Sequence, residues 1–346
     1  MNAQVASQQP VTGRAAVLAK LRTARKLIVI THEHPDGDAL GSLVAAQLIL
    51  TQLGKDSLLF IESAEFPLPY EYSFLGTPGH ISEAPADLEE RTLLFLDCGN
   101  VDRNPAAAGL RFPGATVLNV DHHHDNTRFG TVNHVDAGAS CTAEIVWELM
   151  ADLGAELTLE IAEALYVGLL TDTGCFNYNN TTPRAHLMAA ELIAAGTDVH
   201  RIYQHVYEDV PYPKLALLAR GLEHTERYDE GRLTVSQLLA EDFGATGAEE
   251  SYTEGVIDHL RAVRGTAMAA LVRDRLAAPG EPQEDTGGAR VRKVSLRATD
   301  ARIDVSAIAR EFGGGGHRAA AGFSTSLGWD ELVAFLRREL ERQLSA

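Results

Sequence analysis

The residues of this chain best suited to chemistry are aspartates and histidines gathered in four short motifs. They are Thr31-His32-Glu33-His34-Pro35-Asp36-Gly37-Asp38, Asp97-Cys98-Gly99-Asn100, Asp121-His122-His123-His124-Asp125-Asn126 and Thr171-Asp172-Thr173-Gly174. Carboxylates and imidazoles brought together bind divalent cations. When two such ions sit side by side, a carboxylate and a hydroxide can bridge them, and the pair neutralises charge on phosphoryl oxygens. A mixed nitrogen and oxygen donor set favours a transition ion such as Mn²⁺, with Mg²⁺ or Co²⁺ as substitutes. Singly, each motif has a plainer reading. An aspartate after a strand commonly caps a helix, an Asp-Gly pair such as Asp36-Gly37 makes a turn, and lone histidines such as His186, His200 and His259 are ordinary surface or core residues. The joint pattern carries the metal reading: three strand ends bear an aspartate, and two of them also bear histidine.

The elements that must position these residues are legible around them. Apolar runs at 26–30, 57–61, 92–96 and 116–120 read as strands, and 38–53 has helical periodicity that stops at Gly54. Strands interleaved with helices imply right-handed crossovers and a mainly parallel sheet. The carboxyl ends of parallel strands open onto one crevice, so the first three motifs should converge there. The fourth follows a helix and can close the crevice from the side. Helices are expected at 140–153, 158–170, 183–195, 199–207 and 213–223. A second unit begins near residue 225, with strands 226–228 and 233–236 flanking the turn Asp229-Glu230-Gly231-Arg232. Strands at 266–272 and 290–297 flank a Pro-, Gly- and acid-rich loop at 278–288, and helices follow at 303–312 and 329–344. The expected fold class is α/β. A parallel-sheet domain with helices on both faces spans 1–210, a helical linker 211–224, and a smaller α/β domain 225–346.

Composition narrows the partners. The chain has 346 residues, 45% hydrophobic and 23% charged, which fits two globular domains. Its net charge of −18, with no block of Lys or Arg, argues against a grip on long duplexes, so that any nucleic acid handled is expected as short pieces or nucleotides. The three cysteines, Cys98, Cys141 and Cys175, form neither a disulfide framework nor a zinc spacing, and a reducing cytoplasm is the expected location. Residues 1–13 read as a loose polar tail without the order of a secretory signal, and no stretch is apolar enough for a membrane span.

Together these motifs resemble the DHH phosphoesterase superfamily. The resemblance rests on His32-x-x-Pro-Asp-Gly-Asp38, Asp97, Asp121-His122-His123 and Asp172-Thr-Gly, joined in the second unit by Gly313-Gly-Gly-Gly-His317, Ala319-Ala-Ala-Gly322 and Val294-Ser-Leu-Arg297, which are similar to a DHHA1 domain. The pattern is most similar to the nano-RNase and pAp-phosphatase subgroup, the NrnA-like oligoribonucleases. The resemblance implies that His32, Asp36 and Asp97 hold one ion, and that Asp38, Asp97, His122 and Asp172 hold a second, with Asp97 bridging. It places Asp121 behind the ligands, orienting a histidine, and His123 toward the scissile phosphate as donor or general acid. Arg297, Gly315, Gly316 and His317 would bind the nucleotide, the glycines letting backbone approach closely. The implied reaction is Mn²⁺-dependent hydrolysis of short 5′-phosphorylated oligoribonucleotides to mononucleotides, with pAp, pApA and cyclic dinucleotides as further substrates, and a homodimer is a possible assembly. His34, His124 and Ala298 depart from the commonest pattern. Ser140, Thr142 and Glu144 resemble the family's polar helix start, for which capping is a sufficient reason. Three other readings compete. A family II pyrophosphatase lacks the Gly-Gly-Gly-His stretch, a RecJ-like exonuclease usually opens on a different first motif, and a silent binding module would have lost a ligand.

Overall fold

In the computed structural model, residues 11–275 and 291–345 are described, and the chain divides into two compact units, 1–209 and 210–346. The first unit is built on seven strands: β1 (Val11–Thr12), β2 (Lys26–Ile30), β3 (Asp56–Phe60), β4 (His80–Ile81), β5 (Thr92–Leu96), β6 (Val117–Asp121) and β7 (Val132–Val135). They lie in the order β1-β7-β6-β5-β2-β3-β4, and every pairing is parallel. Strands β2, β3 and β4 run outward on one side, and β5, β6 and β7 on the other. The order therefore reverses between β2 and β5, and a crevice opens at the carboxyl ends on either side of such a point. His32 and Asp97 follow these two strands.

The central strands are apolar on both faces because both are covered. Leu27 and Val29 join one core cluster with residues of α1 (Arg14–Thr23), α2 (Gly37–Gln52), α4 (Thr142–Leu153), α5 (Leu159–Asp172) and α6 (Pro183–Ala194); Ile28 and Ile30 join the opposite cluster, which includes Ala107 of α3 (Pro105–Ala108). Helix α2 is buried almost all round, which explains its lack of a polar face. It crosses α5 closely, and Gly41 permits this: a Cβ there would strike the Ala164 carbonyl. The crossing draws Asp38, in the first turn of α2, toward Asp172 at the end of α5.

Several boundaries differ from expectation. Val11 and Thr12, read as tail, pair with Val132 and Asn133. β4 and β7 are short and carry polar residues, so neither stands out as an apolar run. The helix expected at 199–207 is α7 (Val199–Tyr203) followed by a π-turn at Gln204–Glu208.

The second unit holds α8 (Tyr212–Glu223) and a sheet of β8 (Glu226–Tyr228), β9 (Leu233–Leu238), β10 (Met268–Asp274), β11 (Arg292–Ala298), β12 (Gly315–His317) and β13 (Ala320–Thr325), in the order β12-β13-β11-β10-β9-β8. Only β9 and β10 pair in parallel, and their crossover contains α9 (Ala240–Thr246) and α10 (Val256–Arg261), two helices the sequence pattern does not reveal. Helices α11 (Val305–Arg310) and α12 (Trp329–Leu344) complete the unit. The loop expected at 278–288 and residue 290 lie outside the described residues. Among the described residues, no helix is long and apolar enough to cross a membrane.

Candidate active site

The crevice at β2 and β5 gathers aspartates and histidines from all four motifs. Asp97 is the first residue beyond β5 and is buried, with φ of 55°, a left-handed conformation that aspartate tolerates better than most residues. Its two carboxylate oxygens face different partners. Oδ2 lies 3.6 Å from His32 Nε2, and Oδ1 lies 3.6 Å from His122 Nε2. Asp36 Oδ2 is 3.9 Å from the same His32 nitrogen. Asp38 Oδ2 and Asp172 Oδ2 are 4.0 and 3.8 Å from His122 Nε2. These separations exceed hydrogen bonds and approach those of donor atoms sharing one cation, whose bonds are roughly 2.0–2.2 Å long. Three groups could each hold an ion: His32, Asp36 and Asp97; Asp38, His122 and Asp172; and Asp97, His122 and His123.

One buried atom tests whether a cation fits. His32 Nδ1 lies 2.7 Å from the Glu33 carbonyl, which can only accept, so the Nδ1 proton is committed there. His32 Nε2 is then left buried without a hydrogen-bond partner, its lone pair toward Asp36 and Asp97. A buried polar atom without a partner is costly, and a cation between these three groups satisfies it. His123 is committed differently: its Nδ1 donates to Asp121 Oδ1 at 2.8 Å. That bond competes with any ligand role for Nδ1. Asp121 is fully buried and also accepts from the His122 backbone N–H and the Asn126 amide.

The remaining carboxylates are held by hydrogen-bond donors. Asp36 caps α2 by accepting from the Ala39 N–H at 3.0 Å. Asp38 accepts from the Thr142 N–H at 2.7 Å, the Ala143 N–H at 2.9 Å and the Ser42 hydroxyl at 3.3 Å. Asp97 Oδ1 accepts from the Thr142 hydroxyl at 2.9 Å, and Asp172 from the Asn180 amide at 3.1 Å. Thr142, Asn180 and Ser42 were not singled out as site residues by sequence. The polar start of α4 is the only signal of Thr142, and Asn180 lies in a turn with no motif around it. His34 and His124 are exposed, and His34 lies beside Glu65 instead.

Charge crowding sets the proton affinities. Burial raises Asp38 well above the usual carboxylate range, and the charges of Asp97, Asp172 and Asp36 add to it. Burial likewise raises Asp172 to about 7, with His122 opposing and Asp97 and Asp36 reinforcing. Burial would lower His32 and His123, but neighbouring carboxylates outweigh it: Asp97 and Asp36 raise His32, and Asp121 and Asp97 raise His123 to about 9. Asp97 moves the other way. Burial opposes its ionisation, yet His32, His123 and His122 hold it well below the usual range. Carboxylates shifted in opposite directions thus meet in one crowded, buried site, the arrangement expected where cations can relieve the crowding of charge.

In the second unit, Arg297 pairs with Ala320 and Ala269 in the sheet, and Gly315–His317 forms edge strand β12 against β13. The two glycines differ. A Cβ on Gly316, whose φ is 135°, would sit 2.5 Å from the Ala320 carbonyl, so strand pairing itself requires glycine there; a Cβ on Gly315 would meet open space.

Comparison with known proteins agrees with this geometry. The DHH family N-terminal domain matches residues 26–169, and the DHHA1 domain matches 237–346. The bifunctional oligoribonuclease and PAP phosphatase NrnA of Thermus thermophilus is 31% identical over 325 residues, covering 91% of this chain and 90% of that protein. This chain belongs to the DHH phosphoesterase family. It is a hydrolase acting on phosphoester bonds. The NrnA of Bacillus subtilis is 27% identical, covering 88% of this chain and 90% of the relative. An exopolyphosphatase-related protein from Bacteroides fragilis superposes with a TM-score of 0.79 at 23% identity, covering 95% of both chains, and so shares the fold. In this DHH chain the name-giving triplet divides its work by geometry. Asp121 lies behind the site, His122 faces the carboxylates, and His123 is bound to Asp121.

Proposed function

We propose that this chain hydrolyses short 5′-phosphorylated oligoribonucleotides to mononucleotides in a Mn²⁺-dependent reaction, and also removes the 3′-phosphate of pAp. The observation that carries the reading is the pair of donor sets meeting on Asp97, Oδ2 toward His32 and Oδ1 toward His122. The names of the Thermus and Bacillus relatives, both oligoribonuclease and PAP phosphatase, support the substrate class. The donors are mixed imidazole and carboxylate, which supports Mn²⁺.

His32, Asp36 and Asp97 would hold one ion, and Asp38, Asp97, His122 and Asp172 would hold the other. When bound, two divalent ions supply an acidified water and neutralise charge on the phosphoryl oxygens. Asp121 fixes His123 by accepting from Nδ1, which presents the Nε2 proton of the ring to the leaving oxygen. The Arg297 guanidinium provides a planar fork for a terminal phosphate. The open face of Gly315 lets backbone approach the nucleotide, with His317 as its neighbour. With a net charge of −18 the chain has no block of basic residues to track a long strand, which supports short substrates, and its three scattered cysteines support a cytoplasmic setting.

One Mn²⁺ assay panel tests the reading: RNA of two to twenty nucleotides, short DNA, pAp, pApA, cyclic di-AMP and pyrophosphate. The expected result is mononucleotide release from di- to pentaribonucleotides and phosphate release from pAp. Turnover of pyrophosphate alone would replace this reading with that of a pyrophosphatase.

A further inference from the structure

Thr142 touches two of the four motifs at once. Its backbone N–H donates to Asp38 Oδ2 at 2.7 Å, and its hydroxyl donates to Asp97 Oδ1 at 2.9 Å. The residue is fully buried. Asp38 comes from α2 and Asp97 from the end of β5, so one residue ties together carboxylates that the chain brings in from separate elements.

Helix capping does not account for the hydroxyl. The N-cap of α4 is Cys141, which makes no side-chain cap bond, and the Thr142 hydroxyl goes to a carboxylate 45 residues away rather than to a backbone group of its own helix. The orphan N–H groups that open α4 are satisfied by Asp38 instead, through Thr142 and Ala143.

The atom that Thr142 holds matters. Asp97 Oδ1 lies 3.6 Å from both His122 Nε2 and His123 Nδ1. A carboxylate oxygen has two lone-pair directions. The hydroxyl takes one, which leaves the other for a cation and fixes the plane of the carboxylate. The start of α4 is itself anchored. Glu144 is fully buried, accepts from the Ser140 N–H at 3.0 Å and pairs with Arg184 of α6, which also reaches Glu148 at 3.1 Å. The donor therefore sits on a fixed support, as a positioning group must.

We propose that Thr142 is the positioning residue that sets Asp97 against Asp38, and that its hydroxyl governs the pairing of the two ions held there. The proposal rests on the two-metal reading of the preceding subsection. It gives Thr142 no contact with substrate; it acts through the two carboxylates.

The test compares Thr142→Val, which keeps shape and removes the hydroxyl, with Thr142→Ser, which keeps the hydroxyl. Full-length EDTA-treated proteins are titrated with Mn²⁺ by calorimetry and examined by electron paramagnetic resonance for the signal of coupled Mn²⁺ pairs. In the Val variant, the affinity for the more weakly held ion should fall about 10–100-fold, the range typical of losing a group behind a metal ligand. The coupled-pair signal should weaken at equal loading, and kcat should fall at limiting Mn²⁺ with KM unchanged. The Ser variant should restore both affinity and signal. Thermal unfolding of the EDTA-treated proteins reports any purely structural loss, which would lower the Val variant's Tm while leaving Mn²⁺ affinity intact and would overturn the proposal. A Val variant that pairs two ions like wild type, or a Ser variant as weak as Val, would also overturn it. Wild-type protein that takes up no Mn²⁺ would overturn the metal reading and this role together.

Discussion

Asp97 is the residue on which the site turns, because its oxygens face His32 on one side and His122 on the other. Changing it to asparagine keeps the shape and removes the charge. The expected result is a loss of several kcal/mol of transition-state stabilisation, roughly 10³-fold in kcat/KM, with bound Mn²⁺ falling in elemental analysis. His123 should separate from this behaviour. Its Nδ1 is bound to Asp121, so His123→Gln should lower kcat about 10²–10⁴-fold, as for a general acid, while Mn²⁺ content stays at the wild-type level. The carboxylates also predict a pH dependence. Asp172 is raised to about 7, first by burial, and Asp38 is raised as well. Below neutral pH the site retains protons that a cation must displace. Mn²⁺ affinity should therefore rise with pH through about 7, and binding should release protons. Calorimetry in buffers of different ionisation heat reads this directly, and identical heats in all buffers would contradict it. The donors were legible in sequence because Asp and His cluster in motifs. Asp121 behind them was legible too, as part of a motif, but the contacts of Thr142 and Asn180 were not, since these residues act through where they stand, not through their type.

The close crossing of α2 and α5 is the element-scale feature that assembles the site. Gly168 of α5 faces Asp38, and a Cβ built there falls 2.8 Å from Asp38 Oδ1 and 2.7 Å from the Ala143 side chain. Gly168→Ala should cost about 1–3 kcal/mol through overpacking and weaken Mn²⁺ binding by displacing Asp38. Urea unfolding with and without Mn²⁺ separates the two effects. Strands β2, β5 and β6 could be read in advance because a parallel strand buried on both faces is a continuous apolar run. β1 and β4 have only two residues each, too few for any period. Helices α9 and α10, of seven and six residues, are likewise too short to show a clear apolar stripe. The glycine run was legible as a motif, yet two of its four glycines proved different: Gly316 serves strand pairing, and Gly315 faces open space.

At the scale of the whole molecule, the balance of charge limits what can be bound. A chain with net charge −18 and no basic block should contact only one or two phosphates away from the ions. Plots of log affinity against log salt should then have a slope no steeper than about −1.5 for single strands, and rates for strands of two to five nucleotides should exceed those for strands of twenty. The central claim, however, is that the DHH site works through two ions meeting on Asp97. The most direct measurement is a Mn²⁺ titration of EDTA-treated protein, following ion stoichiometry and mononucleotide release from a 5′-phosphorylated diribonucleotide in the same samples. The account predicts two ions per chain, with turnover appearing only as the second is bound. Full turnover in the EDTA-treated protein, or in its Asp97→Ala variant, would contradict it.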